Sequence, residues 1–142
     1  MKKFTFAVLL TALLAISCCP CRKIDNSASR DLNATSWQLS QLYSRSITPA
    51  ENQYTLSLGD DGKVSGMASC NRITGSYTFT SDSRILKFDH MGMTRMMCPP
   101  GDDHEDEFGQ MLGKVTHFEV DGDMLIMLSG GESVALFKRL LK

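Results

Sequence analysis

The sequence predicts a mainly β fold with one packed α-helix, arranged as a small curved antiparallel sheet or partly open barrel. Short runs of alternating apolar and polar residues recur from Trp37 onward, as half-buried strands require. Glycine- and aspartate-rich pairs fall between those runs, where hairpins turn. One stretch alone carries the three- and four-residue spacing of a helix face.

Trp37, Leu39 and Gln41 alternate against Gln38 and Ser40 in a first strand, and Tyr54, Leu56 and Leu58 alternate with Thr55 and Ser57 in a second. Gly59-Asp60-Asp61-Gly62 tolerates positive φ and turns the chain. Lys63 to Ser69 returns, with Val64 and Met67 as inward residues. Ile73 to Thr80 carries Tyr77 and Phe79 on one face, and Ser81-Asp82-Ser83 turns into Ile85 to Met91. There Leu86 and Phe88 alternate with Lys87 and Asp89.

Phe108, Met111, Leu112 and Val115 then fall at i, i+3, i+4 and i+7, which predicts a helix over Asp103 to Val115. Pro99-Pro100-Gly101 precedes it, and Asp102 with Glu105 has capping-box spacing. Phe118 to Val120 is a strand before the Asp121-Gly122 turn. Met124 to Leu128 and Val134 to Phe137 complete the set around the Ser129-Gly130-Gly131-Glu132 hairpin.

The chain has 142 residues, a formal charge of -1 and 42% hydrophobic residues. That length fits one domain behind a short leader, with enough chain for a real core. Near-neutral charge removes the electrostatic footprint of a nucleic-acid partner.

Residues 1–17 read as a secretory signal: Lys2 and Lys3, an apolar run from Phe4 to Ile16, then the small Ser17. The run is too short to span a bilayer. Leu14-Ala15-Ile16-Ser17-Cys18 resembles a bacterial lipobox, with Ala15 where leucine is most common. That resemblance implies lipidation of Cys18, which becomes residue one and anchors the chain by several acyl groups. Ordinary signal cleavage nearby is the alternative. The expected layout is a signal peptide over 1–17, a lipid-anchored tether over 18–31 and a folded domain over 32–142. The expected location is the bacterial cell envelope, at the outer membrane, facing the periplasm or the cell surface.

Five cysteines form two groups, with Cys18, Cys19 and Cys21 near the leader and Cys70 and Cys98 in the domain. Export favours a disulfide between the last two, although two buried free thiols fit the same positions. The bridge would close a loop of about 30 residues, worth about 3.5 kcal/mol in the chain-entropy treatment. Cys19 and Cys21 are free, metal-bound or cross-linked between molecules, the last giving a disulfide-linked dimer. The oligomeric state stays open.

Several ordered motifs resemble the META domain family, which includes heat-shock proteins of the HslJ type. Trp37-Gln38-Leu39 is similar to its opening, and Val64-Ser65-Gly66, Ser69-Cys70-Asn71-Arg72 and Gly75-Ser76-Tyr77 to its central signature. Thr94-Arg95-Met96-Met97-Cys98-Pro99 resembles a second signature, followed by Glu107-Phe108 and Leu112 and by the closing Leu136-Phe137-Lys138-Arg139. The resemblance spans Leu32 to Leu140. It implies a small antiparallel β fold with a helix packed on it, and paired signature cysteines, in agreement with the argument for Cys70 and Cys98. It singles out Asn71, Arg72, Gly75, Tyr77, Thr94, Arg95 and Met96 as signature residues, and it implies no agreed activity.

The residues themselves offer little catalytic chemistry. His90, Met93, Met96 and Met97, near Cys98, could supply soft ligands for Cu(I), giving a periplasmic copper-binding protein as the alternative function. The competing and preferred reading packs these methionines beside the helix. Asp102, Asp103, Glu105, Asp106 and Glu107 lack the calcium-loop pattern and read as charges offsetting a helix dipole. His90, His104 and His117 lack zinc-hydrolase spacing, and Ser65 is out of frame for a nucleophile elbow. Asn71 and Arg72 read as turn-stabilising. The expectation is therefore a non-enzymatic, cofactor-free envelope module, stress-related or binding an envelope protein or ligand, attached to the membrane through its N-terminal lipid.

Overall fold

Period-two burial carries most of the chain into strands. The computed structural model describes residues 32–101 and 104–141, so the leader, Cys18, Cys19, Cys21 and the tether lie outside the described residues. The elements in order are β1 (Thr35–Leu42), β2 (Arg45–Ser46), β3 (Thr55–Leu58), β4 (Lys63–Met67), β5 (Arg72–Thr80) and β6 (Ile85–Met93). Helix α1 (Glu105–Leu112) follows, then β7 (His117–Asp121), β8 (Met124–Ser129) and β9 (Glu132–Leu140). Among the described residues, no helix is long and apolar enough to cross a membrane.

Every strand pairing is antiparallel. The order runs β2-β1-β3-β4-β5-β6-β7-β8-β9, and β1 also pairs with β9, so strand bonding runs in a ring. This is the predicted curved sheet, with β2 as a short appendage that alternation did not reveal. The ring is thinnest between β6 and β7, which share only the Ile85↔His117 position. Two backbone bonds hold that seam, from Leu86 N–H to Thr116 at 3.0 Å and from Phe118 N–H to Arg84 at 2.9 Å.

Helix α1 comes to lie beside β6 where no neighbouring strand continues. Its Phe108, Met111 and Leu112 are buried. Phe108 meets Tyr54 edge-on at 5.3 Å between ring centroids and Phe137 at 6.2 Å, so the helix reaches across the ring's interior. Trp37 is fully buried, with the Arg139 guanidinium 5.0 Å from its ring centroid.

The helix is shorter than its spacing predicts. It stops at Leu112, and Val115 is buried beyond its end. The capping-box reading is also corrected: His104 occupies the N-cap with no side-chain cap bond, and Glu105 points its carboxylate elsewhere. Asp102 and Asp103 lie outside the described residues.

Close backbone approach explains two glycines. A Cβ on Gly66 would stand 1.9 Å from the Thr55 carbonyl oxygen of β3, so β4 can press this close only without a side chain. Val64 of β4 and Ala68 just past its end are buried with the same parity, whereas Met67, expected inward, lies half-buried with the opposite parity. Gly75 faces an extra residue in β6, where the pairing shifts between Thr74 and Ser76. A Cβ there would meet Met91 Sδ at 2.5 Å and the Asp89 carbonyl oxygen at 3.1 Å. Beyond this irregularity Met91 and Met93 take the inward phase that Leu86 and Phe88 hold before it, and His90 is exposed at φ 53°.

Gly66→Ala forces β3 and β4 apart, and should cost about 2 kcal/mol or more, lowering Tm by about 10 °C. Gly113→Ala, whose new Cβ meets nothing closer than 3.6 Å, should leave Tm nearly unchanged. Thermal unfolding followed by circular dichroism checks both.

Candidate functional site

Between β4 and β5 the chain turns sharply through Ala68–Asn71, closed by a bond from Ala68 N–H to the Asn71 carbonyl at 2.8 Å. Ser69 and Asn71 are the buried polar residues among those described, and Asn71 is 1% exposed. A buried amide must find partners for both its oxygen and its nitrogen. Asn71 finds them on two other segments. Its Oδ1 accepts from Thr94 Oγ1 at 2.9 Å and from Met96 N–H at 2.6 Å. Its Nδ2 donates to the Met96 carbonyl at 3.1 Å and to Glu105 Oε2 at 2.7 Å, while its backbone N–H donates to Glu105 Oε1 at 3.1 Å.

The segment from Thr94 to Cys98 is thus a strap laid over Asn71. A disulfide joins Cys70 to Cys98, with their Cα atoms 5.5 Å apart, and fastens the strap's far end. Thr94 fastens the near end, exchanging backbone and side-chain bonds with Arg72 at 3.0 and 2.9 Å. Glu105, the first residue of α1, brings its carboxylate to 3.6–3.7 Å from Cys98 Sγ. Turn, strap and helix meet at one point.

The acidic run does more than offset the helix dipole, although Glu105, Asp106 and Glu107 do occupy the first turn of α1. Glu105 binds Asn71, Asp106 pairs with Arg95 at 2.9 Å, and Glu107 pairs with Arg45 of β2. The two ion pairs are largely exposed and contribute little individually.

Each signature residue now has a place. Asn71 is the buried hub, Thr94 caps it, and Met96 lends it backbone groups while its side chain is 60% exposed. Arg72 and Arg95 are exposed at either end of this contact. Tyr77 is 4% exposed on the distant half of β5, and its hydroxyl, with one proton to donate, lies 2.8 Å from Asn33 Oδ1 and 2.7 Å from the Gly59 carbonyl. Burial pushes its phenol above the ordinary range, with Asp60 and Asp61 adding to the rise. Tyr77 and Gly75 therefore shape the sheet rather than the corner.

The copper set His90, Met93, Met96 and Met97 is not assembled as one cluster. His90 is exposed, 3.4 Å from Ser76 Oγ through Nδ1, whereas Met93 packs half-buried against the core. Met97 is 99% exposed. Packing beside the helix describes Met91 and Met93 but not Met96 and Met97, a correction to the preferred reading. The strap's backbone is held by Asn71, so these two side chains are left to solvent.

Two clefts adjoin the two ends of the strap. One, of about 270 Å³, lies between β6 and α1 and is lined by Met91, Met93, Arg95 and Asp106 among others. The other, of about 440 Å³ and more polar, is bounded by Gln53, Ser69, Pro99 and His104 among others. Local periodicity could not show the Asn71–Glu105 contact, whose partners are 34 residues apart.

A ring of antiparallel strands, a helix across its open side and a disulfide-stapled corner define a small β module. The chain belongs to the META domain family, whose model matches residues 30–140. Among solved structures it is similar to a Burkholderia xenovorans protein determined by NMR, at 26% identity over 83% of this chain and 90% of that one, TM-score 0.63. A second NMR structure matches at 22% identity over 77% and 92% of the two chains, TM-score 0.61. A DUF4847 family protein from Bacteroides vulgatus shares the fold at 14% identity over 75% and 93%, TM-score 0.58. No curated protein matches the chain.

Asn71→Ala leaves Glu105 Oε2 and the Met96 amide without their partner, and should cost about 2–3 kcal/mol in denaturant unfolding. Asn71→Asp keeps the shape but sets a second carboxylate against Glu105. Its destabilisation should be greatest at alkaline pH and lessen on acidification, because protonating one of the pair restores a donor. A pH-independent loss would show that Glu105 does not face this side chain.

Proposed function

We propose that this protein is a lipid-anchored module of the bacterial cell envelope that binds another envelope component and turns over no substrate, supporting the envelope under stress. The leader pattern and the lipobox at Cys18 support the anchor, with residues 18–31 as the tether. A chain exported in this way meets oxidising conditions, which suit the Cys70–Cys98 bridge.

One observation carries the binding reading. Met97 is 99% exposed and Met96 60% exposed, on a strap whose backbone is locked by a buried amide and a disulfide. Exposed apolar side chains on a floppy loop would mean little. Held on a fixed strap, they need little further backbone ordering on docking, and methionine adapts its shape to a partner. Arg72 and Arg95 beside them add the residue type that interfaces favour.

Intact mass spectrometry of protein extracted from native membranes tests the anchor. The expected mass is a chain beginning at acylated Cys18, and a chain retaining residues 1–17 rejects it. A photo-crosslinking residue at the neighbouring exposed Arg95 tests the binding. It should trap one envelope component in cells, and the trap should vanish with Met96→Ser and Met97→Ser at unchanged stability. Substrate turnover by the purified protein, lost on changing a single residue, would replace this reading with an enzyme.

A further inference from the structure

The Glu105 carboxylate has an odd neighbour. A disulfide sulfur carries no proton to donate, so the oxidised Cys98 gives nothing to the oxygens standing 3.6–3.7 Å away. Asn71 holds both oxygens there, with Nδ2 on Oε2 and the backbone N–H on Oε1. The carboxylate is thus aimed at the sulfur pair by a buried side chain. Cys70 Sγ, Cys98 Sγ and a Glu105 oxygen all lie within 4.8 Å of one another.

We propose that the reduced form of this corner is a binding site for a thiophilic divalent cation such as Zn²⁺, held by Cys70 Sγ, Cys98 Sγ and the Glu105 carboxylate. With Zn–S at about 2.3 Å and Zn–O at about 2.0 Å, a tetrahedron has S···O edges of about 3.5 Å and an S···S edge of about 3.8 Å. The S···O edge on the Cys98 side, 3.6–3.7 Å, is therefore present before any metal arrives, and Cys70 Sγ lies within 4.8 Å of the same carboxylate. Binding then needs the two sulfurs to part, by about 2 Å from ordinary disulfide bonding, with Cys70 Sγ turning toward the carboxylate. Water completes the fourth position, as at three-ligand zinc sites.

The chemistry balances with a dithiol reductant. Its two thiols become a disulfide, while the Cys70–Cys98 bond breaks and each sulfur takes a proton. Coordination then expels those two protons, and two thiolates with one carboxylate surround a dication at a net charge of -1. Asn71 serves as the outer partner that orients the carboxylate, and its Nδ2, 3.4 Å from Cys98 Sγ, also faces the thiolate. The oxidised corner cannot bind in this way, because its sulfurs are spent on each other. Oxidation thus exchanges a metal staple for a covalent one, and this inference stands whether or not the envelope reading holds.

The test uses the full-length chain with Cys18→Ser, Cys19→Ser and Cys21→Ser, so that only Cys70 and Cys98 can supply thiolate. Zn²⁺ is titrated against a chromophoric chelator under anaerobic conditions, before and after reduction and removal of the reductant. The reduced protein should take up one equivalent and the oxidised protein none. Co²⁺ should give a thiolate charge-transfer band that Cys98→Ser abolishes. Glu105→Gln, which can still accept one of the two Asn71 bonds and keeps the disulfide, should weaken Zn²⁺ binding about tenfold or more. No uptake by the reduced chain, or equal affinity in Glu105→Gln, overturns the proposal.

Discussion

The ring of strands is nearly open between β6 and β7, where one paired position joins them, and α1 has to cover that side. Its buried face supplies the driving force, with Phe108 running between Tyr54 and Phe137. Apolar contact is non-directional, however, and does not fix where the helix begins. The Asn71 amide does. It bonds the strap before α1 and the first residue of α1 together, so the helix start, the strap and the β4–β5 turn share one reference point. The disulfide adds covalent insurance at the same place, worth about 3.5 kcal/mol on loop-closure grounds.

This dependence makes the corner costly to alter. Each neutral hydrogen bond there contributes about 1 kcal/mol, and bonds to the charged Glu105 more. Deleting Asn71 also leaves buried groups unpaired, which costs more than the bonds themselves. An apolar isostere at Asn71 cannot compensate, because the Met96 amide and Glu105 Oε2 would lose their buried partner.

Strands were legible because alternation reports burial directly. Leu56 with Leu58, Leu86 with Phe88, and Leu125 with Met127 are buried pairs on single strands. The Gly62 and Gly122 turns both take positive φ. Helix bounds were less legible, because Val115 keeps its place in the apolar spacing after helical bonding has ended. Strand β2 has two residues, both exposed, and so had no pattern to read. The site was half legible. Cysteine count and the export signal pointed to Cys70 and Cys98, but capping-box spacing assigned Glu105 to the wrong partner. Asn71 reaches it across 34 residues, and no local rule carries that distance. Met96 and Met97 misled for a related reason. Apolar residues are expected inward, yet here it is the strap's backbone that faces the buried Asn71 amide.

That inversion separates what holds the strap from what the strap exposes. A segment whose backbone groups satisfy a buried amide is fixed in position by hydrogen bonds and needs no side-chain burial to stay ordered. Its side chains are then available for another role. Between Thr94 and Cys98 the strap keeps Thr94 and Cys98 for fastening and releases Arg95, Met96 and Met97 outward. Fastening and display are therefore divided along five consecutive residues. A change at Asn71 should disturb both, whereas a change at Met97 should disturb display alone.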